Sequence, residues 1–368
     1  MTSKTKRKAF FTFSFLITVA AIFILSIKPD KVITVDQTLS EKLNNGNTIY
    51  YLVVGDSIGR GAGAESKRDT WHAQLERLIK QRFGADMEGQ HIVQSGATAF
   101  EGLYKLRETE LLYPADIIFL VFGENDRKYM KSEEFAKQYE LLVREAKNRA
   151  PKAEIITFIE SPLTVQAFAD EIQTVSKHYG AVPIDMREVY AQSGAEAQSL
   201  NRDQVHPNKK GYELYAKAIL RTLDDFPNRE APSINESLYI QDDASFHLTK
   251  KIEAQHGFLN EDNYWVTGKK GSSIRYMVQG NTIGAIINQN PNGGLVDVFI
   301  DGRYYRTINT NWPLVKERYI FIATGLEPGN HQIEFITNDR GLRFNGLDEK
   351  PFQLAGIITA TINTKEKN

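Results

Sequence analysis

Residues 48–57 have the sequence TIYYLVVGDS, and this stretch decides the fold of the first half of the chain. Its first seven residues are all apolar, aromatic or β-branched, and Gly55 follows them. A short uninterrupted run of this kind predicts a strand that is buried on both faces of a parallel sheet. Ser57 then lies in the turn after the strand, at the mouth of the sheet.

Runs of the same kind recur along the chain up to residue 223 and alternate with helical patterns. The strand-like runs are residues 91–94, 117–122, 155–159 and 182–184. Apolar residues at helical spacing occupy residues 71–83, 135–148, 167–179 and 211–223. Strands that alternate with helices predict a doubly wound α/β domain, in which ligands bind at the carboxyl ends of the strands.

The second half of the chain has a different pattern. Residues 224–237 are polar and contain Pro227 and Pro232, and helical periodicity disappears beyond them. Short strand-like runs follow at residues 274–278, 282–288, 295–300, 304–308, 319–323, 332–337 and 354–362. Asp301-Gly302 separates two of these runs and predicts a type I′ hairpin turn, because both central residues of such a turn need positive φ. These features together predict a β-sandwich.

The N-terminal residues predict a transmembrane helix. Basic residues between positions 4 and 8 precede an uncharged run at 9–27, which is long enough to cross a ~30 Å hydrocarbon layer. The basic flank favours a cytoplasmic N-terminus, so we expect the chain after Lys28 to lie outside the cell membrane. The alternative is a cleaved signal peptide and secretion of the rest, although no small-x-small cleavage pattern follows the run.

These patterns divide the chain into five predicted segments. The segments are a membrane anchor at 1–28, a polar stalk at 29–47, the α/β domain at 48–225, a linker at 226–240 and the β-sandwich at 241–368. The stalk prediction rests on its polar, turn-rich composition, and the linker prediction rests on its prolines.

The composition excludes several classes of site. The chain contains 0 cysteines, so it has no disulfide, thiolate nucleophile or cysteine metal site. The formal net charge is -1 at pH 7, and we expect no nucleic-acid partner. His72, His91 and His178 have no neighbour at metal-ligand spacing, so we expect neither a metal nor a cofactor. No sequence feature predicts the oligomeric state.

Ser57 and a histidine motif near residue 206 could act together. Asp203 and His206 lie in one loop just before the last predicted helix of the α/β domain. A carboxylate three residues before an imidazole can accept from Nδ1–H and leave Nε2 free to take a serine proton. Each feature alone has a simpler interpretation, since Ser57 could only stabilise a turn and the Asp–His pair could only be polar surface.

Two more turns lie where a site at this edge of the sheet needs them. Gly96 follows the second predicted strand, and Asn125 follows the third. The backbone N–H of Gly96 and the side-chain amide of Asn125 could join the N–H of Ser57 as three donors to a developing oxyanion. Alone, Gly96 is better explained as a tight turn and Asn125 as a helix cap.

The motifs around these residues resemble those of the SGNH (GDSL-type) hydrolase family over about residues 48–223. The matching blocks are Gly55-Asp56-Ser57-Ile58, the turn at Gly96, Gly123-Glu124-Asn125-Asp126 and Asp203-Gln204-Val205-His206. The resemblance implies a flavodoxin-like three-layer α/β/α fold. It also implies Ser57 as nucleophile, His206 as base and Asp203 as its orienting carboxylate, with Ser57, Gly96 and Asn125 as oxyanion donors. Ile58, where many members have leucine, is a minor departure.

Such a site implies acyl transfer through a covalent acyl-serine. The β-domain loosely resembles accessory domains of carbohydrate esterases in residues 295–305 and 325–331, and an extracytoplasmic site would meet surface glycans and lipids. We therefore expect a hydrolase that removes O-acetyl groups from cell-surface carbohydrate. The alternatives are an O-acetyltransferase acting on a cell-wall or capsular glycan, a lysophospholipase or thioesterase, and an inactive membrane-anchored glycan-binding protein.

Aromatic residues of the second half could stack on sugar rings. They are Tyr264, Trp265, Tyr304, Tyr305, Trp312 and Tyr319. Because small sandwiches mostly use aromatic residues to fill the core, we expect most of them to be buried.

Overall fold

The computed structural model describes residues 37–224, 236–241, 244–338, 352–363 and residue 365. The predicted membrane helix at residues 1–28 lies outside the described residues. Within the described ranges, no helix has the length and apolar character needed to cross a bilayer.

A parallel five-stranded sheet forms the centre of the first domain. Its strands are β1 (Ile49–Gly55), β2 (Met87–Val93), β3 (Ile117–Val121), β4 (Glu154–Ile159) and β5 (Val182–Asp185). Their order is β2-β1-β3-β4-β5, which is the flavodoxin-like order. Every residue of β1 and β3 is buried, which explains the uninterrupted apolar runs that predicted them.

Helices cover both faces of this sheet. They are α1 (Leu39–Asn45), α2 (Trp71–Phe83), α3 (Ala99–Glu108), α4 (Ser132–Arg149), α5 (Gln166–His178), α6 (Met186–Gln192), α7 (Ala197–Leu200) and α8 (Lys209–Asp224). Helices α2 and α8 pack on one face, where Trp71 and Tyr215 are fully buried. Helices α3, α4 and α5 pack on the other face. The domain is therefore the three-layer α/β/α fold that the resemblance implied.

The structure differs from the sequence predictions in several elements of this domain, and the short helices α6 and α7 are among those not predicted. Helix α1 occupies much of the predicted stalk at 29–47, starts at a capping box between Thr38 and Glu41, and buries Leu39 and Leu43. Helix α3 was not predicted at all. Strand β2 begins at Met87, four residues before the predicted strand, because it is an edge strand whose partly exposed positions take polar residues.

The second domain consists of two antiparallel sheets that share a core. Its strands are β6 (Ser245–Thr249), β7 (Ala254–His256), β8 (Leu259–Glu261), β9 (Tyr264–Thr267), β10 (Ser273–Gln279), β11 (Thr282–Gln289), β12 (Leu295–Ile300), β13 (Arg303–Asn309), β14 (Lys316–Ala323), β15 (Asn330–Thr337) and β16 (Phe352–Thr361). One sheet has the order β13-β12-β15-β10-β7 and the other β14-β11-β16-β9-β8, with β6 also paired to β16. Asp301 and Gly302 have φ of 52° and 74°, as a type I′ turn requires. All seven predicted strands are present.

The two domains share apolar packing, so the second is not a loosely tethered module. Phe100 of α3 and Phe321 of β14 belong to one buried cluster, with ring centroids 5.9 Å apart. Gly284 of β11 leaves room for the Phe100 ring, since a Cβ there would lie 2.4 Å from it. The end of the predicted linker is also packed, because Ile240 is fully buried.

The six aromatic residues singled out in the second half are divided between core contacts and accessible positions. Tyr264, Trp265 and Tyr319 are partly buried and pack against the buried clusters. Tyr304 and Tyr305 are 56% and 44% exposed. Trp312 is only partly buried and lines a cleft between the domains. These last three residues therefore remain accessible to a ligand.

Candidate active site

Ser57 lies in a tight turn at the carboxyl end of β1. The N–H of Ala62 donates to the carbonyl of Ser57 at 2.8 Å, and the N–H of Ile58 donates to Asp56 Oδ1 at 2.8 Å. The turn needs Gly55, because a Cβ at this position would lie 3.0 Å from Cβ of Val121 in the neighbouring strand. Ser57 is 6% exposed and is held by backbone contacts at the edge of the sheet.

A short loop before α8 brings His206 to Ser57. Asp203 Oδ1 accepts hydrogen bonds from the backbone N–H groups of Val205 and His206, each at 2.8 Å, and these fix the loop. The Gly-rich segment after Ser57 must be small at Gly63, because a Cβ there would lie 2.7 Å from Cβ of His206.

The three side chains form one hydrogen-bonded chain. His206 Nε2 lies 3.0 Å from Ser57 Oγ, and Nδ1 lies 2.8 Å from Asp203 Oδ2. Burial raises the pKa of Asp203, but the hydrogen bonds from His206 and the loop amides together outweigh it and lower this pKa to about 2. An ionised carboxylate at Nδ1 favours the tautomer in which Nε2 can accept the hydroxyl proton of a serine. Asp203 is 54% exposed, so water screens its charge.

The predicted donor turns lie at the same edge of the sheet. Gly55, the last residue of β1, pairs with Val93 of β2 and Val121 of β3, so the following loops begin at one level. Gly96 has φ of 76°, which a glycine adopts without strain. Among the described residues, no hydrogen-bond acceptor is found for the backbone N–H of Ser57 or for that of Gly96. Both groups are therefore available to an oxyanion.

Asn125 lies beside Ser57 but is partly engaged. Its Nδ2 donates to Asp56 Oδ2 at 2.6 Å, and its Oδ1 accepts from Lys128 Nζ at 3.2 Å. The amide nitrogen carries two hydrogens, so one remains for a ligand while the other fixes the orientation of the side chain. Asp56 thus positions both the serine turn and the amide.

A buried acidic cluster beneath the turn was missed by sequence reasoning. Asp56, Asp126 and Glu160 are each at most 1% exposed. Burial raises the pKa of Asp56 to about 6 and that of Asp126 to about 7, and it raises the pKa of Glu160 well above its ordinary value. Glu160 Oε2 accepts from the N–H of Glu124 at 2.9 Å, which ties the end of β4 to the loop that carries Asn125. Glu160 gives no sequence signal, because it is a single acidic residue after a strand.

His72 and His91, which lie far apart in the sequence, are in contact. The rings of His72 and His91 have centroids 4.6 Å apart, and burial lowers the pKa of His72 to about 4. A third ligand is missing, since no group of three or more His, Cys, Asp or Glu side chains in the described ranges could hold a metal. The pair is explained as a packed, neutral contact on the outer side of β2.

The chain is similar to a known protein family and to solved structures. Residues 53–214 match the family model described as the GDSL-like Lipase/Acylhydrolase family. No significant match was found among curated proteins. Two solved structures of a two-domain esterase (CEX) active on acetylated mannans are similar over both domains, and one of them was co-crystallised with mannopentaose.

The likeness to these two structures extends over most of each chain. They have a TM-score of 0.65 at 20% and 19% identity, and they cover 87% and 88% of this chain and 93% and 94% of their own. A family 3 carbohydrate esterase from Clostridium thermocellum covers 48% of this chain and 96% of its own, at 18% identity and a TM-score of 0.42. The part of the chain that matches the GDSL-like lipase/acylhydrolase family model thus lies within the α/β domain, and an all-β domain follows it.

Proposed function

We propose that this protein is a serine ester hydrolase that removes O-acetyl groups from carbohydrate. The observation that carries the proposal is the contact of 3.0 Å between His206 Nε2 and Ser57 Oγ, with Asp203 on the other side of the imidazole. Two unoccupied backbone donors, at Ser57 and Gly96, lie at the same edge of the sheet. The matching family consists of acylhydrolases, which supports ester cleavage.

The reaction would proceed through an acyl-serine. Ser57 Oγ attacks the ester carbonyl carbon while His206 Nε2 takes the hydroxyl proton. The N–H groups of Ser57 and Gly96 and the amide of Asn125 stabilise the tetrahedral oxyanion. His206 then gives the proton to the departing sugar oxygen, and the carbon–oxygen bond breaks. Water attacks the acetyl-serine, passes a proton through His206 to Ser57, and acetate leaves.

Carbohydrate is the proposed substrate because of the second domain. The two-domain esterase of the same architecture is active on acetylated mannans. The partly accessible aromatic residues of the β-domain support a sugar ligand here as well. We further propose an extracytoplasmic location, anchored by the uncharged run at residues 9–27, where surface glycans are the nearest esters.

The test measures acetate release by the full chain in detergent from p-nitrophenyl acetate and from acetylated glycans. We expect hydrolysis by the wild type and none above background by Ser57→Ala. Equal activity of the two proteins would contradict the proposal. A parallel reaction with an acetyl donor and an unacetylated glycan distinguishes the alternatives, because new sugar O-acetyl groups would identify a transferase.

A further inference from the structure

A cleft of about 280 Å³ lies between the two domains, next to the turn that holds Gly96. Gly96 and Thr98 form part of one wall, and strands β13 and β14 form most of the other. The guanidinium nitrogens of Arg318 lie 3.8 and 3.9 Å from the position that a Cβ on Gly96 would occupy. The β-domain therefore reaches the donor turn and encloses the space beside it.

Arg318 is one of two arginines in this cleft, and its charge is matched. Its Nε and Nη2 donate to Glu101 at 3.0 and 2.7 Å, and its Nη1 donates to Gln289 at 2.8 Å. Both members of the ion pair are buried. Arg318 and Glu101 therefore connect the two walls of the cleft. They do not serve a ligand, because a ligand that drew one of them away would leave the other as an uncompensated buried charge.

Arg306 is the second arginine, and no carboxylate in the described ranges pairs with it. Its Nη1 donates to the carbonyl oxygen of Phe321 at 3.1 Å, and its guanidinium carbon lies 4.6 Å from the centre of the Tyr129 ring. Burial lowers the pKa of Arg306, and within the described part of the chain only neighbouring tyrosines oppose this shift. A partly buried cation with unused donors is a site for an anion.

The rest of the lining suits a sugar. Trp312, Asn309 and Asn311 line the cleft. Asn309 Oδ1 accepts from the N–H of Asn311, and Asn311 Nδ2 donates to the carbonyl of Pro291, so each amide is partly engaged and keeps further hydrogen-bonding capacity for a hydroxyl group. Lys316 lies nearby, and burial together with neighbouring cations lowers its pKa. The cleft therefore combines an aromatic surface and hydrogen-bonding amides with an excess of positive charge.

We infer that this cleft binds a negatively charged sugar unit of the acylated glycan, with the carboxylate or phosphate on Arg306 and the ring against Trp312. The inference rests on the proposed function, because the sugar then lies next to the ester that Ser57 attacks. The planar guanidinium matches the geometry of carboxylate and phosphate oxygens. A bound anion also supplies the countercharge that Arg306 lacks.

The test compares the full-length wild type with R306Q on four substrates. They are an acetylated polyuronate, the same polymer with its carboxylates methyl esterified, an acetylated sugar-phosphate polymer, and p-nitrophenyl acetate. We expect R306Q to lower kcat/KM by about 10- to 100-fold on an anionic polymer, mainly through KM. On the methyl ester and on p-nitrophenyl acetate the change should stay below about twofold, because neither carries the anion.

Two further variants separate the local charge from net charge and folding. R303Q removes the same charge from an exposed position of the same strand and should behave like the wild type. R306K keeps a cation but loses the planar fork, so it should retain more activity on the anionic polymer than R306Q does. If R306Q also loses activity on p-nitrophenyl acetate, the comparison of R306K with the wild type decides the question.

The outcomes distinguish the two proposals. Absence of Ser57-dependent hydrolysis of p-nitrophenyl acetate would contradict the proposed function itself. If that hydrolysis is present, equal rates on charged and esterified polyuronate with no preference for the phosphate polymer would overturn the inference alone. Equal losses in R306Q and R303Q would overturn it too. A preference for the uronate or for the phosphate polymer supports the inference and identifies the anion.

Discussion

Each domain of this protein contains a hydrogen-bonded aspartate–histidine pair, but the groups on the other side of the two imidazoles differ. In the α/β domain, His206 contacts Asp203 through Nδ1 and the hydroxyl of Ser57 through Nε2, at 2.8 and 3.0 Å. A hydroxyl oxygen can give up a proton as well as accept one. Nε2 of His206 is therefore placed to accept a proton from its neighbour.

The pair in the β-domain has an acceptor on both sides. His331 contacts Asp301 through Nδ1 at 2.7 Å and the carbonyl oxygen of Glu327 through Nε2 at 2.8 Å. Burial lowers the pKa of His331, but the hydrogen bonds with Asp301 and Glu327 outweigh it and raise this pKa above its ordinary value. An imidazole between two acceptors is stabilised as the cation and cannot act as a base. The group that contacts Nε2, and not the Asp–His pair itself, therefore decides whether the histidine can act as a base.

The largest expected effect comes from removing His206 or the hydroxyl of Ser57 that it contacts. His206→Ala and Ser57→Ala should each lower kcat on p-nitrophenyl acetate by about 10⁴-fold or more, because the members of such a site act as a unit. His331→Ala removes an equivalent Asp–His pair and should change kcat by less than about twofold. Steady-state kinetics of the three variants checks this difference. A loss with His331→Ala that approaches the loss with His206→Ala would contradict the assignment.

The next largest effect concerns the oxyanion donors, which only the site around Ser57 possesses. Asn125→Ala should lower kcat by about 10²- to 10³-fold with little change in KM, because an oxyanion donor acts mainly in the transition state. Asn281→Ala, in the β-domain, removes a buried amide that hydrogen-bonds the backbone of Ile362 and the hydroxyl of Thr282. It should leave kcat unchanged even if it lowers stability. Similar kcat losses in the two variants would argue against a role for Asn125 in the oxyanion site.

A smaller effect is expected from removing Asp203, the carboxylate that contacts His206. Asp203→Ala should lower kcat/KM by about 10- to 100-fold, less than Ser57→Ala, because Asp203 is half exposed and water can accept from Nδ1–H in its place. Asp301→Asn in the other pair should leave kcat/KM within about twofold of the wild type. Kinetics on p-nitrophenyl acetate measures both. A loss with Asp203→Ala as large as that with Ser57→Ala would show that water cannot replace the carboxylate.

The serine side could be predicted from sequence because its parts are local. Ser57, Gly96 and Asn125 each follow a predicted strand, and parallel strands bring such turns to one edge. Asp203 and His206 lie three residues apart in a single loop. The pairing of Asp301 with His331 depends instead on the register of β12 with β15, in which Ile300 lies opposite Ile333. A register between distant strands has no local sequence signal.

Long-range packing also explains the missed elements. Helix α3 contains Gly102, and a glycine disfavours a helix when the sequence is considered alone. In the structure the ring of Phe122 fills the space where a Cβ at this position would lie. The same helix buries Glu101, whose partner Arg318 is 217 residues away. This pair lines the interdomain cleft and joins its two walls. No pattern within one domain could predict it.

The smallest effect is the pH dependence of stability in the β-domain pair. The raised pKa of His331 means that its stabilisation is fully present below pH ~6.5 and is lost as the pH rises through the folded-state pKa. Hydrogen bonds to His331 and the backbone outweigh burial and lower the pKa of Asp301, so its stabilisation is present above pH ~4 and is lost at lower pH. The pair should therefore stabilise the fold most between these limits.

Asp301→Asn tests this window without straining the turn, because asparagine tolerates the φ of 52° at this position. We expect a loss of less than about 1 kcal/mol in the free energy of unfolding at pH 5.5 and a smaller loss at pH 8.5, since Asp301 is 50% exposed. Asp262→Asn makes the same change in another turn with positive φ and should show no such difference between the two pH values. Urea unfolding at both pH values measures the effect. A larger loss of stability in Asp301→Asn at pH 8.5 than at pH 5.5 would mean that His331 is not held as a cation. The difference between the two Asp–His pairs, which rests on the contact of His331 with the carbonyl of Glu327, would then be wrong.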